Sequence, residues 1–299
     1  MRTREIVVGT DGSANSQFAL RWAAREARRR GVPLRVLFVY DWTLGGRRIA
    51  GDAYRAAAEA EAARIVDAAV AITREEVPEV DVSGESVVGT PVWRLVAASR
   101  KAELVVVGSR GHGGFSSLML GAVSQRLATH AACPVVVVRG RTHDHDGPVV
   151  VGVDGSPTSS EALGMAFAMA AARGCPLVAL TAYTPPNPAW TAEIGPAEYL
   201  RAEIEAETRK CLEQDLTPWR DKYPDVAVDV HAVAGGAAHA LIRLSHGAQL
   251  VAAGSRGHGD VAGTLLGSVG LQLLHHADCP VLIVRPHPAP EAIDSPAEQ

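Results

Sequence analysis

Two loops in this 299-residue chain carry the same glycine spacing. Gly108-Ser109-Arg110-Gly111 is separated by nine residues from Gly121, and Gly254-Ser255-Arg256-Gly257 by nine residues from Gly267. The offset is 146 at all three positions (254 − 108, 257 − 111 and 267 − 121). Each loop follows an apolar run, Leu104–Val107 or Leu250–Ala253. Each then leads into a helix-like stretch opening at Ala122-Val123-Ser124 or Ser268-Val269-Gly270. A strand, a glycine loop and a helix start together make a phosphate cradle: bare backbone N–H groups and the positive helix end face the anion, and glycine lets the chain approach it. One such loop is weak evidence, because glycine also serves tight turns. Two in the same context favour a phosphate-bearing ligand, foremost a nucleotide, bound twice per chain.

Two acidic residues recur beside these loops. Val8–Ser13 matches Val151–Ser156 at an offset of 143, which brings Asp11 and Asp154 into register. A carboxylate is a poor partner for phosphate, so the ligand roles open to Asp11 and Asp154 are accepting hydrogen bonds from ribose hydroxyls or helping to hold a metal ion. The structural alternative is that each only caps the following helix or shapes the turn. Arg110 and Arg256 lie within the loops, where a phosphate clamp and a solvent-facing role are both open. A side chain at Gly111 or Gly257 is expected to take the space of the phosphate and leave the fold intact.

The elements that position these residues repeat as well. Gly31–Leu34 matches Gly174–Leu177 at 143, and His130–Val135 matches His276–Val281 at 146, so a net three-residue insertion lies between Leu177 and Gly235. In the first half the pattern predicts strands at 5–10, 34–40, 81–88, 104–108 and 135–139, with helices at 16–30, 53–76, 92–101 and 122–132. The second half repeats the order. Continuous Val and Leu runs indicate strands buried on both faces of a parallel sheet, and strand–helix alternation indicates a doubly wound α/β domain. In such sheets ligands sit beyond the carboxyl ends of the strands where the strand order reverses, so the Asp loops and glycine loops should meet there. The domains are read as 1–141 and 147–287, with a polar linker between them and a disordered proline-containing tail at 288–299.

Composition narrows the classes. A net charge of −4 without a large basic block argues against nucleic-acid binding. No run of about 18 apolar residues occurs, so no membrane span is expected. The start of the chain shows no signal-peptide pattern. Cys133, Cys175, Cys211 and Cys279 lack a Cys-x-x-Cys spacing and are expected as small buried packing residues in a reduced cytoplasm. His143 and His145 read as part of the solvated linker rather than a metal site. His112 and His258 fall in the cradle loops but have no nucleophile partner, and neither a Gly-x-Ser-x-Gly elbow nor a Walker-type Gly-Lys-Ser/Thr is present. No catalytic residue and no metal ligand is assigned.

The Val-Gly-x-Asp-Gly-Ser openings, the Gly-Ser-Arg-Gly-His-Gly loops and the His-Ala-x-Cys-Pro-Val strand leads resemble a tandem universal stress protein of the ATP-binding type, over nearly the whole chain. The resemblance implies two tandem Rossmann-like (adenine nucleotide alpha hydrolase-like) domains, each a five-stranded parallel sheet flanked by helices. It also implies ATP with Mg at two sites, halves paired through their last strands, homodimer formation, an unidentified protein partner, and a regulatory role in stress or dormancy. By position, Asp11 and Asp154 would lie near ribose and adenine, and Val39 and Ala182 would offer backbone to the ring. Gly108, Gly111 and Gly121, and likewise Gly254, Gly257 and Gly267, would wrap the phosphates. Ser268 completes the family pattern. Ala122 lacks the matching hydroxyl, which Ser124 would replace. A slow ATPase or nucleotidyl-transfer enzyme, and a scaffold with vestigial sites, are the competing readings. Strands 135–139 and 281–285 are expected as edges open to further chain pairing.

Overall fold

The computed structural model describes residues 5–40, 51–111, 120–140, 147–185, 197–257 and 266–285. His112, His258, His143, His145 and the 288–299 tail lie outside them. The first half runs β1 (Ile6–Thr10), α1 (Ala14–Arg30), β2 (Leu34–Tyr40), α2 (Asp52–Glu76), β3 (Val82–Val88), α3 (Pro91–Ser99), β4 (Leu104–Gly108), α4 (Ala122–His130) and β5 (Val135–Val138). The second half repeats this order as β6 (Val149–Gly152), α5 (Pro157–Arg173), β7 (Leu177–Tyr183), α6 (Ala197–Lys222), β8 (Val228–Ala234), α7 (Ala237–Ser245), β9 (Leu250–Gly254), α8 (Ser268–His276) and β10 (Val281–Val284). The extra length of the second half has two locations. Thirteen residues separate Tyr183 from Ala197 against eleven between Tyr40 and Asp52, and α6 has 26 residues against 25 in α2.

Local chemistry sets the helix ends beside the sheet. Ser13 and Ser156 are N-caps of α1 and α5, their hydroxyls accepting from Ser16 N and Ser159 N at 3.2 Å. Gly31 and Gly174 end those helices in the left-handed region, at φ 63° and 62°, where a β-carbon would be strained.

All ten strands form one sheet in the order β3-β2-β1-β4-β5-β10-β9-β6-β7-β8. Each half contributes five parallel strands, and the halves join where β5 and β10 pair antiparallel, Val137 opposite Val281 and Val135 opposite Ile283. The halves thus pair through their last strands, as the resemblance implies, and β5 and β10 are not edges open to further chain pairing. Both are fully buried runs of Val, Leu and Ile, and pairing them inside one chain satisfies two ladders that would otherwise be exposed. The edges are instead β3 and β8, which carry exposed polar side chains such as Glu85 and Asp229.

Alternate strand residues feed two apolar layers. Ile6, Val8, Leu104 and Val106 pack with α1 and α5 on one face, and Val7, Val105 and Val107 pack under α3, α4, α7 and α8 on the other. Only the C-terminal part of α2 covers the sheet, through Ala62, Val66, Ala69 and Thr73; its first turns are exposed. Cys133, Cys175 and Cys279 are buried as expected. Cys211 is exposed on α6, because it falls on the helix face opposite the buried Leu212 and Leu216 side.

Among the described residues a single carboxylate is buried, and it lies where the halves meet. Glu26, 1% exposed, pairs with Arg30 of its own helix at 2.6 Å and with Arg173 of α5 at 2.6 Å. At the 143-residue offset Arg30 corresponds to Arg173 and Glu26 to Met169, so one acid serves both arginines across the pseudo-twofold axis. Burial works against the Glu26 charge. The pull of Arg173 and Arg30, together with the Arg30 hydrogen bond, overcomes it and holds the carboxyl below its ordinary range.

Candidate nucleotide site

The strand order reverses between β1, which pairs with β2 on one side, and β4 on the other. A cavity of about 740 Å³ opens there, at the carboxyl ends of these strands. All nine first-half residues named from the repeat spacing and the family resemblance line it: Asp11, Val39, Gly108, Arg110, Gly111, Gly121, Ala122, Val123 and Ser124. One end is apolar, walled by Leu37, Val39, Pro91, Leu95 and Val107, and the other is the glycine loop with the start of α4.

Asp11 organises its own turn. Its Oδ1 accepts from Ser13 N at 3.0 Å, across Gly12 at φ 80°, while Oδ2 lies against Gly111. Asp154 does the same: Oδ1 accepts from Ser156 N at 3.0 Å and from the Ser156 hydroxyl at 2.6 Å, and Oδ2 lies against Gly257. Turn shaping and proximity to the loop are thus both present in one carboxylate. The expectation for a side chain at Gly111 or Gly257 changes accordingly, since its first clash would be with the aspartate. Gly108 and Gly254 are required by packing. A β-carbon at Gly108 would stand 2.8 Å from Asn15 O, and one at Gly254 would stand 2.8 Å from Thr158 Oγ1.

Each loop closes by the same bond, Gly121 N to Ser109 O and Gly267 N to Ser255 O, both 2.8 Å. The glycine N–H at each helix start is therefore already engaged. The first bonds within the helices are Gln125 N to Gly121 O and Leu271 N to Gly267 O, each 3.0 Å. The N–H groups of Ala122, Val123 and Ser124, and of Ser268, Val269 and Gly270, precede them and lie outside the helical ladder. They are the donors that could meet an anion.

The halves differ in how the loop is fastened. In the first, the Ser124 hydroxyl is buried and donates to Gly108 O at 2.7 Å, so it anchors β4 to α4. In the second, Gly270 stands at that position, and Thr158 of α5 instead donates to Arg256 O at 2.6 Å. Ser268 is exposed at the start of α8, and Val269, like Val123, packs partly into the core below. Val39 lies one residue past the last β1–β2 pair, Thr10 opposite Phe38, with Val87 of β3 as its other neighbour. Ala182 lies two past Leu180 on β7, opposite Val233. In both strands the backbone edge facing the cleft is beyond the ladder.

Comparison with known proteins agrees with this architecture. A profile of the universal stress protein family matches residues 2–139 and again 147–285. This chain belongs to the universal stress protein family. Universal stress protein Rv2005c of Mycobacterium tuberculosis is 36% identical over 293 residues, covering 94% of this chain and 96% of that one. Universal stress protein Rv1996 of the same organism is 37% identical over 300 residues, with 94% of each covered. The crystal structure of a universal stress protein from Archaeoglobus fulgidus superposes with a TM-score of 0.67 at 22% identity, over 95% of this chain and 99% of that one, a likeness of fold.

In this universal stress protein fold, sequence reasoning missed the apolar wall. Leu37 comes from β2, and Pro91 and Leu95 from α3, without a motif. The only available signal was Pro91 opening a short helix directly after a strand. Sequence reasoning also missed the arginines that cross between halves. Arg139 donates to Leu273 O at 3.2 Å and to Leu274 O at the end of α8, and Arg285 donates to Ala128 O at 3.2 Å and to Thr129 O at the end of α4. Burial disfavours the charge on each, and the loop arginines add to it, Arg110 acting on Arg139 and Arg256 on Arg285.

Proposed function

We propose that this universal stress protein binds ATP at two sites, one per half, and acts as a regulator whose shape or partner affinity depends on the nucleotide. The observation that best supports this reading is the convergence of nine residues, spread from Asp11 to Ser124 and named from repeat spacing together with the family resemblance, on one cavity with an apolar end and an amide-lined end. The adenine ring would lie among Leu37, Val39 and Leu95, the ribose near Asp11, and the phosphates over the α4 start, where N–H groups and the positive helix end favour negative charge. The glycine positions suit this, since a β-carbon at Gly111 or Gly121 would crowd the loop. Asp154, Ala182, Gly257, Ser268 and Val269 would do the same in the second half.

Among the described residues no group of three His, Cys, Asp or Glu side chains is placed to hold a metal ion. A Mg ion arriving with the triphosphate would take phosphate oxygens and water, with Asp11 or Asp154 as the nearest carboxylate. Regulation follows if ATP favours one conformation, by no more than its differential affinity for the two. No helix of the described residues is long and apolar enough to cross a membrane. Pairing of whole chains would use surfaces other than β5 and β10, which are consumed inside the chain.

The test is to purify the protein without added nucleotide, denature it and identify what is released, with calorimetric ATP titration of the emptied protein. Two ATP per chain is the expected result. ADP alone with measurable turnover would favour a slow ATPase, and no binding would leave a scaffold.

A further inference from the structure

A second cleft opens at the junction of the halves. It has a volume of about 390 Å³ and lies between the first glycine loop, the end of β5 and the C-terminal end of α8. Its ionisable lining comprises Arg110, Arg139, His246, His276 and Asp278. Among the described residues, two guanidinium groups and two imidazoles thus line the cleft with one carboxylate. That carboxylate is already engaged, its Oδ2 lying 3.3 Å from His246 Nδ1. Arg139 is held by the carbonyl oxygens of Leu273 and Leu274, and among the described residues it makes no ion pair. Ser109 and Asn15 add polar groups on the side of the first half. The second half supplies His246, His276 and Asp278, so neither half alone could build the site.

We propose that this junction cleft is a third anion site, adjoining the first glycine cradle with which it shares Arg110, that takes a phosphate-class oxyanion, either free phosphate or a small phosphomonoester. Charge decides the class. Arg110 and Arg139 both line the cleft. Burial and then Arg110 work against the Arg139 charge, and Asp278 and Cys279 offset them only in part. An oxyanion between the two arginines supplies further negative charge. Arginine and imidazole N–H groups match the several acceptor oxygens of a phosphate. Size supports a small ligand, since the cleft has about half the volume of the 740 Å³ cavity beside β1 and β4. Asp278 sets the limit on negative charge by repelling ligands bulkier in charge than one phosphate group.

The proposal stands apart from ATP binding and is tested on the full chain. Inorganic phosphate is titrated at constant ionic strength, with sodium chloride as the counterpart, while the imidazole signals of His246 and His276 are followed by NMR. Saturable movement of both signals with phosphate and not with chloride is expected. Both histidines are exposed, so the double variant His246→Gln/His276→Gln keeps the fold, which a thermal melt verifies. Its calorimetric phosphate affinity should fall at least threefold, while Asp278→Asn should raise it. A parallel titration with glycerol phosphate separates the sources: tighter binding assigns an ester, and equal or weaker binding assigns the free ion. Shifts identical in phosphate and chloride would overturn the site. So would phosphate binding unchanged in the double variant, with the Gly111 and Gly121 amides moving instead, since that would place the anion in the first cradle.

Discussion

The carboxylate of Asp11 lies against Gly111, so that a β-carbon on that glycine would overlap Asp11 Oδ2. Asp154 and Gly257 repeat the relationship in the second half. The two partners are 100 residues apart in the first half and 103 in the second (111 − 11 and 257 − 154). The glycine therefore leaves room for an aspartate that is already fixed to its own turn, and the two loops have to move together.

Gly111→Ala should displace Asp11 and weaken ATP binding in the first half at least tenfold by calorimetry, with the melting temperature nearly unchanged. Removing the obstructing carboxylate in Asp11→Ala/Gly111→Ala should give a coupling energy of about 0.5–3 kcal/mol, the range for residues in contact. Additive losses would mean that the two residues act separately.

Ala122→Ser adds the hydroxyl that Ser268 has in the second half. A net hydrogen bond contributes about 0.5–1.5 kcal/mol, so first-site affinity should rise roughly two- to tenfold. Ser268→Ala should lower second-site affinity by the same factor, and two-site calorimetry on both variants reads the difference. Ser124 does not stand in for the missing group, because its proton goes to Gly108 O.

Glu26→Gln should cost about 3–5 kcal/mol at neutral pH, as for other broken buried pairs, since it strands Arg173 at 3% exposure. The sign of the pH effect follows from the depressed carboxyl. Its contribution is present above the unfolded carboxyl pKa of about 4.3 and is lost as pH falls through the lower folded value. Urea unfolding from pH 7 to pH 3 should show wild type and variant converging on the acid side. A constant gap would exclude ionised Glu26 as the cause.

Arg285→Gln removes the charged cap from the last carbonyls of α4. The expected loss is about 1–2 kcal/mol in urea unfolding, and Arg139→Gln should cost a similar amount through α8. A loss in one variant only would show that the pseudo-twofold contacts are unequal in energy.

The strands, the helices and the first-half lining were legible in the sequence because each rests on local chemistry. Val runs, Ser N-caps and left-handed glycines act within a few residues, and duplication printed each signal twice. The apolar wall of Leu37, Pro91 and Leu95 was not legible, because contacts between β2 and α3, 54 residues apart in the chain at Leu37 and Pro91 (91 − 37), follow no spacing rule. Cys211 was misread for a related reason: its helix has Leu212 and Leu216 on the sheet side, and composition does not say which way a neighbouring residue turns.

By itself the sequence determined two α/β halves and the loops that face the switch point of each sheet, since periodicity and turn residues are properties of adjacent positions. The resemblance implied that the halves pair through their last strands, and only the tertiary structure fixed the register of that join and the side chains that cross it. The β5–β10 pairing sets Val137 opposite Val281 in the middle of one sheet, Glu26 joins Arg30 of its own helix to Arg173 of the other half, and Arg139 reaches Leu273, 134 residues away. Each of these is settled by burial and charge between segments distant in the chain, where no local pattern carries the information.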